Sequence, residues 1–267
     1  MEGRPTLSAS LPKSDRLPEH LLTVKMEHRV GAISLKLSFA LTQPWTVLFG
    51  PSGSGKTTAL RTIAGFVKPD MARIAYGPME RLLVSTAEGV FMPAHLRPVR
   101  SAAQAARLFP NMSVRENVLY GMAWRSHPAD EEQVLNEVLG LMRLTTLAER
   151  GVTKLSGGER QRVSVARALA AAVAFDGPDK ALLLLDEPFA GLDELLRDEL
   201  ALEMQGWLVG WKIPVLSVSH DVGECYLLGA DVVRMAEGQV IEQGPVEVVL
   251  AEERRRLMER LRTGSTA

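Results

Sequence analysis

The chain has 267 residues, of which 46% are hydrophobic and 24% charged, with a formal net charge of −1. This length is typical of one domain, or of one domain with an inserted lobe. The balanced charge argues against a general affinity for nucleic acid or for an anionic membrane. The single cysteine, Cys225, excludes an intrachain disulfide and a cysteine-based zinc cluster. No uncharged apolar run reaches the roughly 18 residues that indicate a membrane span.

The two ends of the chain differ from its middle. Residues 1–20 carry charges, prolines and serines instead of an apolar segment, so they predict a mobile tail and not a secretory signal. Residues 251–267 predict a helix followed by a tail. Their basic stretch has apolar residues at helical spacing, which favours a solvated amphipathic helix over a nucleic-acid or lipid site. Residues 21–250 are therefore the predicted domain.

Strand and helix patterns alternate through this domain, and they predict an α/β fold with a mostly parallel sheet. Short apolar runs at 45–50, 182–186 and 214–220 are typical of strands buried on both faces. Helical spacing predicts helices over 56–66 and 193–211. Two short runs around Glu237-Gly238 predict a β-hairpin and hence an antiparallel region. Residues from about 100 to 165 predict an inserted helical lobe.

A phosphate-binding loop is the first chemical motif. Residues 50–57, "GPSGSGKT", match G-x-x-x-x-G-K-[ST] between a predicted strand and a predicted helix. The glycines let backbone N–H groups surround phosphates, and the helix N-terminus adds to this anion site. Lys56 is expected to reach the β- and γ-phosphates, and the Thr57 hydroxyl to bind Mg²⁺. The predicted nucleotide-binding residues here are Gly50, Pro51, Ser52, Gly53, Ser54, Gly55, Lys56, Thr57 and Thr58.

Polar residues follow two of the predicted core strands. Asp186 ends the run "LLLLD", where a carboxylate can hold Mg²⁺, and Glu187 beside it can polarise an attacking water. In isolation such a pair could equally begin a solvated turn. His220 ends another strand, and ligands bind at the carboxyl ends of parallel strands. It is therefore a candidate γ-phosphate contact, although lone histidines are more often structural.

The order of four motifs resembles one protein family. The phosphate loop, "LSGGERQR" (155–162), "LLLLDEPFAGLD" (182–193) and "SVSHD" (217–221) together resemble the ATP-binding cassette ATPases of ABC transporters. The resemblance implies a P-loop NTPase core that binds ATP and Mg²⁺. It also implies that two chains form a head-to-tail dimer on ATP binding. Ser156, Gly157 and Gly158 would bind the γ-phosphate held by the other chain, and Asp193 would lie in the loop that communicates across the dimer.

The resemblance extends to "RSAAQAARLFPNMSVRENVLYG" (100–121). Gln104 matches the glutamine that senses Mg²⁺ and the γ-phosphate, although Ala102-Ala103 replaces the apolar or aromatic pair that normally precedes it. The groove for a membrane permease is expected near "LFP" (108–110), where burial in the core is an equal alternative. No aromatic residue stands where the family stacks adenine, and His28 is the only ring available there.

These features predict the ATPase subunit of an importer, peripheral on the cytoplasmic face of the membrane. Its expected partners are a second cassette chain, separate permease chains and, indirectly, an extracytoplasmic solute-binding protein, with no nucleic acid. The stretch "PAHLRPVRSAAQAARLFPNMSVRENVLYGM" resembles that of molybdate-importer cassettes. Those proteins commonly carry an extra C-terminal oxyanion-binding domain, which this chain is expected to lack. Molybdate is therefore the leading predicted solute, while sulfate, ferric iron or another small solute remains open.

Other classes that share these motifs fit less well. DNA-repair ATPases separate the phosphate loop from "LSGG" by long coiled coils, whereas Lys56 and Ser156 lie in one short chain with no heptad run between them. Translation ATPases of this type carry two cassettes, and a P-loop kinase would not need "LSGG". A non-transport ATPase of DNA repair or translation is kept as the alternative function.

Overall fold

The computed structural model describes residues 21–31, 33–122, 128–177 and 179–264, with no side-chain detail for 128–130 and 260–264. The predicted tail at 1–20 and residues 265–267 lie outside these ranges. Within them the strands are β1 (Leu22–Val30), β2 (Ile33–Leu41), β3 (Trp45–Phe49), β4 (Met71–Tyr76), β5 (Arg81–Ser85), β6 (Val90–Phe91), β7 (Val99–Ala102), β8 (Leu182–Asp186), β9 (Val215–Ser219), β10 (Asp231–Ala236) and β11 (Gln239–Pro245).

The helices surround this sheet. They are α1 (Lys56–Ala64), α2 (Val114–Tyr120), α3 (Pro128–Leu141), α4 (Gly157–Val173), α5 (Glu194–Trp211), α6 (Val222–Leu227), α7 (Val246–Val249) and α8 (Ala251–Gly264). The predicted strands at 45–50, 182–186 and 214–220 and the predicted helices at 56–66 and 193–211 are all present. The predicted hairpin is β10–β11, whose turn residues Glu237 and Gly238 both have positive φ.

The strands form one sheet in the order β6-β5-β4-β1-β2-β11-β10-β3-β9-β8-β7. Its β10-β3-β9-β8-β7 half is parallel, and β1, β2, β4, β5 and β6 pair antiparallel. The α/β fold class with both a parallel and an antiparallel region is therefore confirmed.

The parallel strands are buried on both faces, as their continuous apolar runs predict. In β8, Leu183 and Leu185 join a core cluster with helices α2–α6. Leu182 and Leu184 join a second cluster with α1 and the antiparallel strands. This double burial holds the carboxyl ends of β3, β8 and β9 side by side at one edge of the sheet.

The first residues of the predicted helical lobe, at about 100–165, form a strand. Val99–Ala102 form β7, the edge strand that pairs in parallel with β8. Its sequence, "VRSA", has too few apolar residues to signal a strand, and pairing with a neighbouring strand determines its conformation. Helix α4 packs on β7 and β8 as well as on α2 and α3, so it joins these helices to the sheet.

Candidate functional site

The phosphate loop joins the end of β3 to the start of α1. Gly53 has φ of 83° and Gly55 has φ of 100°, in the left-handed region that favours glycine. A Cβ at Gly55 would collide with the Leu35 side chain from β2. The first turn of α1 carries no acidic residue, so its N-terminus is open to an anion.

Lys56 is buried and folds back over this loop. Its Nζ donates to the carbonyl oxygens of Gly50 at 2.7 Å and Pro51 at 2.8 Å. Burial lowers the pKa of Lys56, while the charges of Glu187 and Asp186 act to raise it. The loop carbonyls therefore hold the ammonium, and the charges of two carboxylates stabilise it.

Thr57 and Asp186 form an oxygen pair beside the loop. The Thr57 hydroxyl donates to Oδ1 of Asp186 at 3.3 Å. Burial raises the pKa of Asp186, and the Thr57 hydrogen bond partly offsets this rise. A hydroxyl and a carboxylate are hard oxygen donors that suit Mg²⁺, which usually takes its other ligands from phosphates and water. The residues present therefore fit this ion.

Glu187 is contacted by both of the other predicted catalytic side chains. Gln104 Nε2 donates to Oε2 at 3.0 Å, and His220 Nδ1 lies 3.3 Å from Oε1. The Glu187 side chain is 20% exposed, and that of His220 is 70% exposed. Glu187 has φ of 49°, a left-handed conformation that costs free energy in a non-glycine residue and is frequent at functional sites.

Gln161 is a site residue that the sequence reasoning missed. It is buried on α4, and its Nε2 lies 3.4 Å from the carbonyl oxygen of Glu187 and 3.5 Å from that of Ala103. These long contacts connect α4 to Glu187 and to Ala103, the residue before Gln104. Its position in the motif could have predicted this contact. Gln161 lies one helical turn after the two glycines of "LSGGERQR", on the buried face of the helix.

Ser156 of "LSGGERQR" caps the N-terminus of α4. The Ser156 hydroxyl accepts from Glu159 N–H at 3.2 Å, and the Glu159 carboxylate accepts from Ser156 N–H at 2.7 Å. This capping box lowers the pKa of Glu159. Since Glu159 occupies the Ser156 N–H, the donors left for an external anion are the Ser156 hydroxyl and the N–H groups of Gly157 and Gly158.

An open cleft lies at this helix end. Its lining comes from 156–159, Arg162 and the loop 190–193, and includes no phosphate-loop residue among those the structure describes. Asp193 caps α5, where its Oδ1 accepts from Leu196 N–H at 3.0 Å. The donors at Ser156, Gly157 and Gly158 therefore lie in a cleft separate from the phosphate loop.

Two further predicted residues are His28 and Phe109. His28 is on β1 opposite Leu35, and its Nδ1 is 3.2 Å from Oδ2 of Asp70. Phe109 is half-buried, with its ring centroid 4.3 Å from that of Tyr120 and 5.5 Å from the Arg167 guanidinium. Tyr120 is 52% exposed, so this aromatic pair reaches the surface.

Similarity to known proteins extends over most of the chain. Residues 35–190 match the family model described as ABC transporter. The chain is 40% identical to the molybdenum import ATP-binding protein ModC of Mesorhizobium japonicum, over 85% of this chain and 59% of that protein. It is 39% identical to ModC of Rhizobium etli, over 86% of this chain and 62% of that protein. The chain thus spans less than two thirds of the length of these relatives.

The fold has a counterpart among solved structures. CbiO1 from Clostridium perfringens, part of the ABC transporter complex cbiONQ, superposes with a TM-score of 0.72 at 25% identity, covering 91% of this chain and 96% of that chain. In the described part of the chain, no helix is long and apolar enough to cross a membrane. The family match contains the phosphate loop and Glu187, whereas Asp193 and His220 lie beyond residue 190.

Proposed function

Because the chain belongs to the ABC transporter family, we propose that it is an ATP-hydrolysing subunit that powers import of a small solute through separate permease chains. The observation that carries the proposal is the convergence of Gln104 and His220 on the Glu187 carboxylate, beside the Thr57–Asp186 pair. A phosphate loop explains nucleotide binding, and a carboxylate held by two side chains adds a group suited to activating water.

Each site residue has its own role in the proposed reaction. The loop 50–58 binds the ATP phosphates, and Lys56 turns from the Gly50 and Pro51 carbonyls to the β- and γ-phosphates. Thr57, Asp186 and Gln104 would hold Mg²⁺, which offsets phosphate charge when bound. Glu187 accepts a proton from the attacking water. His220 orients Glu187 and contacts the γ-phosphate.

In this proposal the cleft at Ser156 is a second anion-binding surface, which serves a second chain. The cleft at Ser156 would receive the γ-phosphate of an ATP held by the partner's phosphate loop, and Asp193 lines the same cleft. Hydrogen bonds to a charged group are worth about 1.5–3 kcal/mol each. Two such sites in a dimer could supply the roughly 5.5 kcal/mol needed to shift a population from 1:99 to 99:1.

Molybdate, or a related oxyanion, is the proposed solute, because the relatives at 39–40% identity are molybdenum import proteins. The chain would then work on the cytoplasmic face of the membrane, with permease chains and indirectly with an extracytoplasmic solute-binding protein. These relatives favour transport over DNA repair or translation, and the proposal includes no nucleic-acid partner.

Two measurements test the proposal. Phosphate release by the purified chain with ATP and Mg²⁺ tests hydrolysis, with Lys56→Ala as the inactive control. Cellular molybdenum content, with and without the gene, tests the solute, with sulfate uptake measured in parallel. A chain that binds ATP without releasing phosphate contradicts the ATPase assignment, and unchanged molybdenum content contradicts the solute.

A further inference from the structure

Glu224 is a buried carboxyl group close to the site that the proposed mechanism does not use. It lies on α6, four residues after His220, and is 5% exposed. The Ser219 hydroxyl, at the end of β9, donates to its Oε2 at 3.0 Å. Its other oxygen, Oε1, is buried without a hydrogen-bond partner among the described residues. Such a group needs an explanation, because buried polar atoms are normally paired.

The Ser219 hydroxyl connects Glu224 to the turn that carries His220. The same oxygen that donates to Glu224 accepts from Asp221 N–H at 3.1 Å. Asp221 Oδ1 in turn accepts from Glu224 N–H at 3.0 Å. Three hydrogen bonds therefore link Ser219, Asp221 and Glu224, which precede and follow His220 in the chain. The His220 ring itself is 70% exposed. The backbone on both sides of the histidine is fixed by groups that include the buried carboxyl.

We propose that Glu224 is a positioning residue for the proposed ATP hydrolysis, which holds His220 against Glu187 through the Ser219 hydroxyl. The inference rests on the proposed function, since His220 and Glu187 are catalytic only in that reaction. Glu224 touches no reacting atom in this scheme. It acts by keeping the Nδ1–Oε1 distance of 3.3 Å between His220 and Glu187.

The surroundings of Glu224 indicate that its neutral form is the one that holds His220 in place. Burial raises the pKa of Glu224 to about 7; the Ser219 hydrogen bond and the charge of Arg197 oppose this rise, and Asp221 and Glu187 add to it. Arg197, on α5, is itself paired with Asp221 at 2.6 Å. Ionised Glu224 would therefore be a buried anion with one unpaired oxygen, repelled by two neighbouring carboxylates.

Substitutions at both ends of the Ser219–Glu224 hydrogen bond test the inference in the full chain. Glu224→Ala and Ser219→Ala should each lower kcat by about tenfold or more, because small displacements of catalytic groups are costly. ATP affinity should stay within twofold, since neither residue belongs to the phosphate loop. Glu224→Gln should restore kcat, because an amide copies the neutral carboxyl. Glu253→Gln on α8, where Glu253 pairs with Arg234, is the matched control and should not change kcat.

Two readouts separate positioning from a general structural role. The ratio of wild-type kcat to Glu224→Gln kcat should fall as pH rises through about 7, because only the wild type ionises there. In a His220→Ala background, Glu224→Ala should cause no further loss. A wild-type kcat in Ser219→Ala, or additive losses in the double variant, would overturn the inference. Failure of the wild type to hydrolyse ATP would instead overturn the proposed function.

Discussion

Gln104 donates its side-chain N–H to the Glu187 carboxylate at 3.0 Å, although 83 residues separate them in the chain. Gln104→Glu would place two carboxylates at this contact, and like charges at such distances disfavour double ionisation. We expect the acidic limb of the pH–rate profile to move to higher pH by about one unit or more. Gln104→Ala, which adds no charge, should lower kcat without moving this limb. An unshifted profile for Gln104→Glu would show that the contact is lost during turnover.

Glu187→Gln should separate ATP binding from hydrolysis. The amide keeps the size of the side chain but cannot accept a proton from water, so kcat should fall by about 10²-fold or more. ATP affinity should not fall, because Lys56 and the loop are unchanged. Steady-state phosphate release and equilibrium ATP binding measure the two effects. Glu242→Gln, at an exposed position on β11, is the control, and near-wild-type kcat in Glu187→Gln would remove Glu187 from the mechanism.

Placing a negative charge at position 156 tests whether the cleft there binds the partner's γ-phosphate. Asp and Asn both cap helices well, so Ser156→Asp and Ser156→Asn should each preserve the start of α4. Only the aspartate places a negative charge where the partner's γ-phosphate would bind. In the Glu187→Gln background, sedimentation with ATP should show a dimer for Ser156→Asn and a monomer for Ser156→Asp, and a monomer with ADP for both. An ATP dimer of Ser156→Asp would mean that this surface does not bind the γ-phosphate.

Phe109 and Tyr120 form the aromatic pair near the proposed permease groove. Tyr120→Glu puts a charge on the exposed ring position and should abolish co-purification with the permease while leaving ATP affinity unchanged. Phe109→Glu should also destabilise the chain, because the Phe109 ring is half-buried and packs against Tyr120 and Arg167. Thermal unfolding distinguishes the two variants. Permease binding by a folded Tyr120→Glu chain would place the groove elsewhere.

Glu224 should make stability depend on pH. Its pKa is about 7 in the folded chain against an ordinary value of 4.5. The folded state therefore holds the proton more tightly, and stability falls as pH rises from about 4.5 to about 7. The loss from this group is on the order of 3 kcal/mol, at 1.36 kcal/mol per pKa unit.

Urea unfolding at pH 5 and pH 8 measures this loss. The stability of Glu224→Gln relative to that of the wild type should be greater at pH 8 than at pH 5. Glu224→Ala should be less stable than Glu224→Gln at both values, because it leaves a cavity. The Ala and Gln variants should share one pH dependence; if the wild type shares it as well, Glu224 does not titrate in this range.

Local patterns in the sequence were enough to predict several parts of the molecule. The apolar runs of β3, β8 and β9 indicated strands buried on both faces, because that burial requires side chains that are apolar on both sides. The spacing of Gly50, Lys56 and Thr57 indicated a phosphate loop, because the motif depends on neighbouring residues alone. The hairpin at Glu237-Gly238 was equally local. The roles of these residues in catalysis stay predictions.

Tertiary structure decided what depends on distant parts of the chain. Strand β7 forms because β8 offers an edge to pair with, and no local pattern in "VRSA" reports that edge. Gln161 reaches Glu187 only because α4 packs across β7 and β8. The environment of Glu224 is likewise set by β9, α5 and the loop after β8. The sequence by itself determined which chemical groups are available, since motifs are local. Only the packing of α4 on β7 and β8 and of α6 on α5 determined which of those groups meet, because burial and pKa depend on neighbours far along the chain.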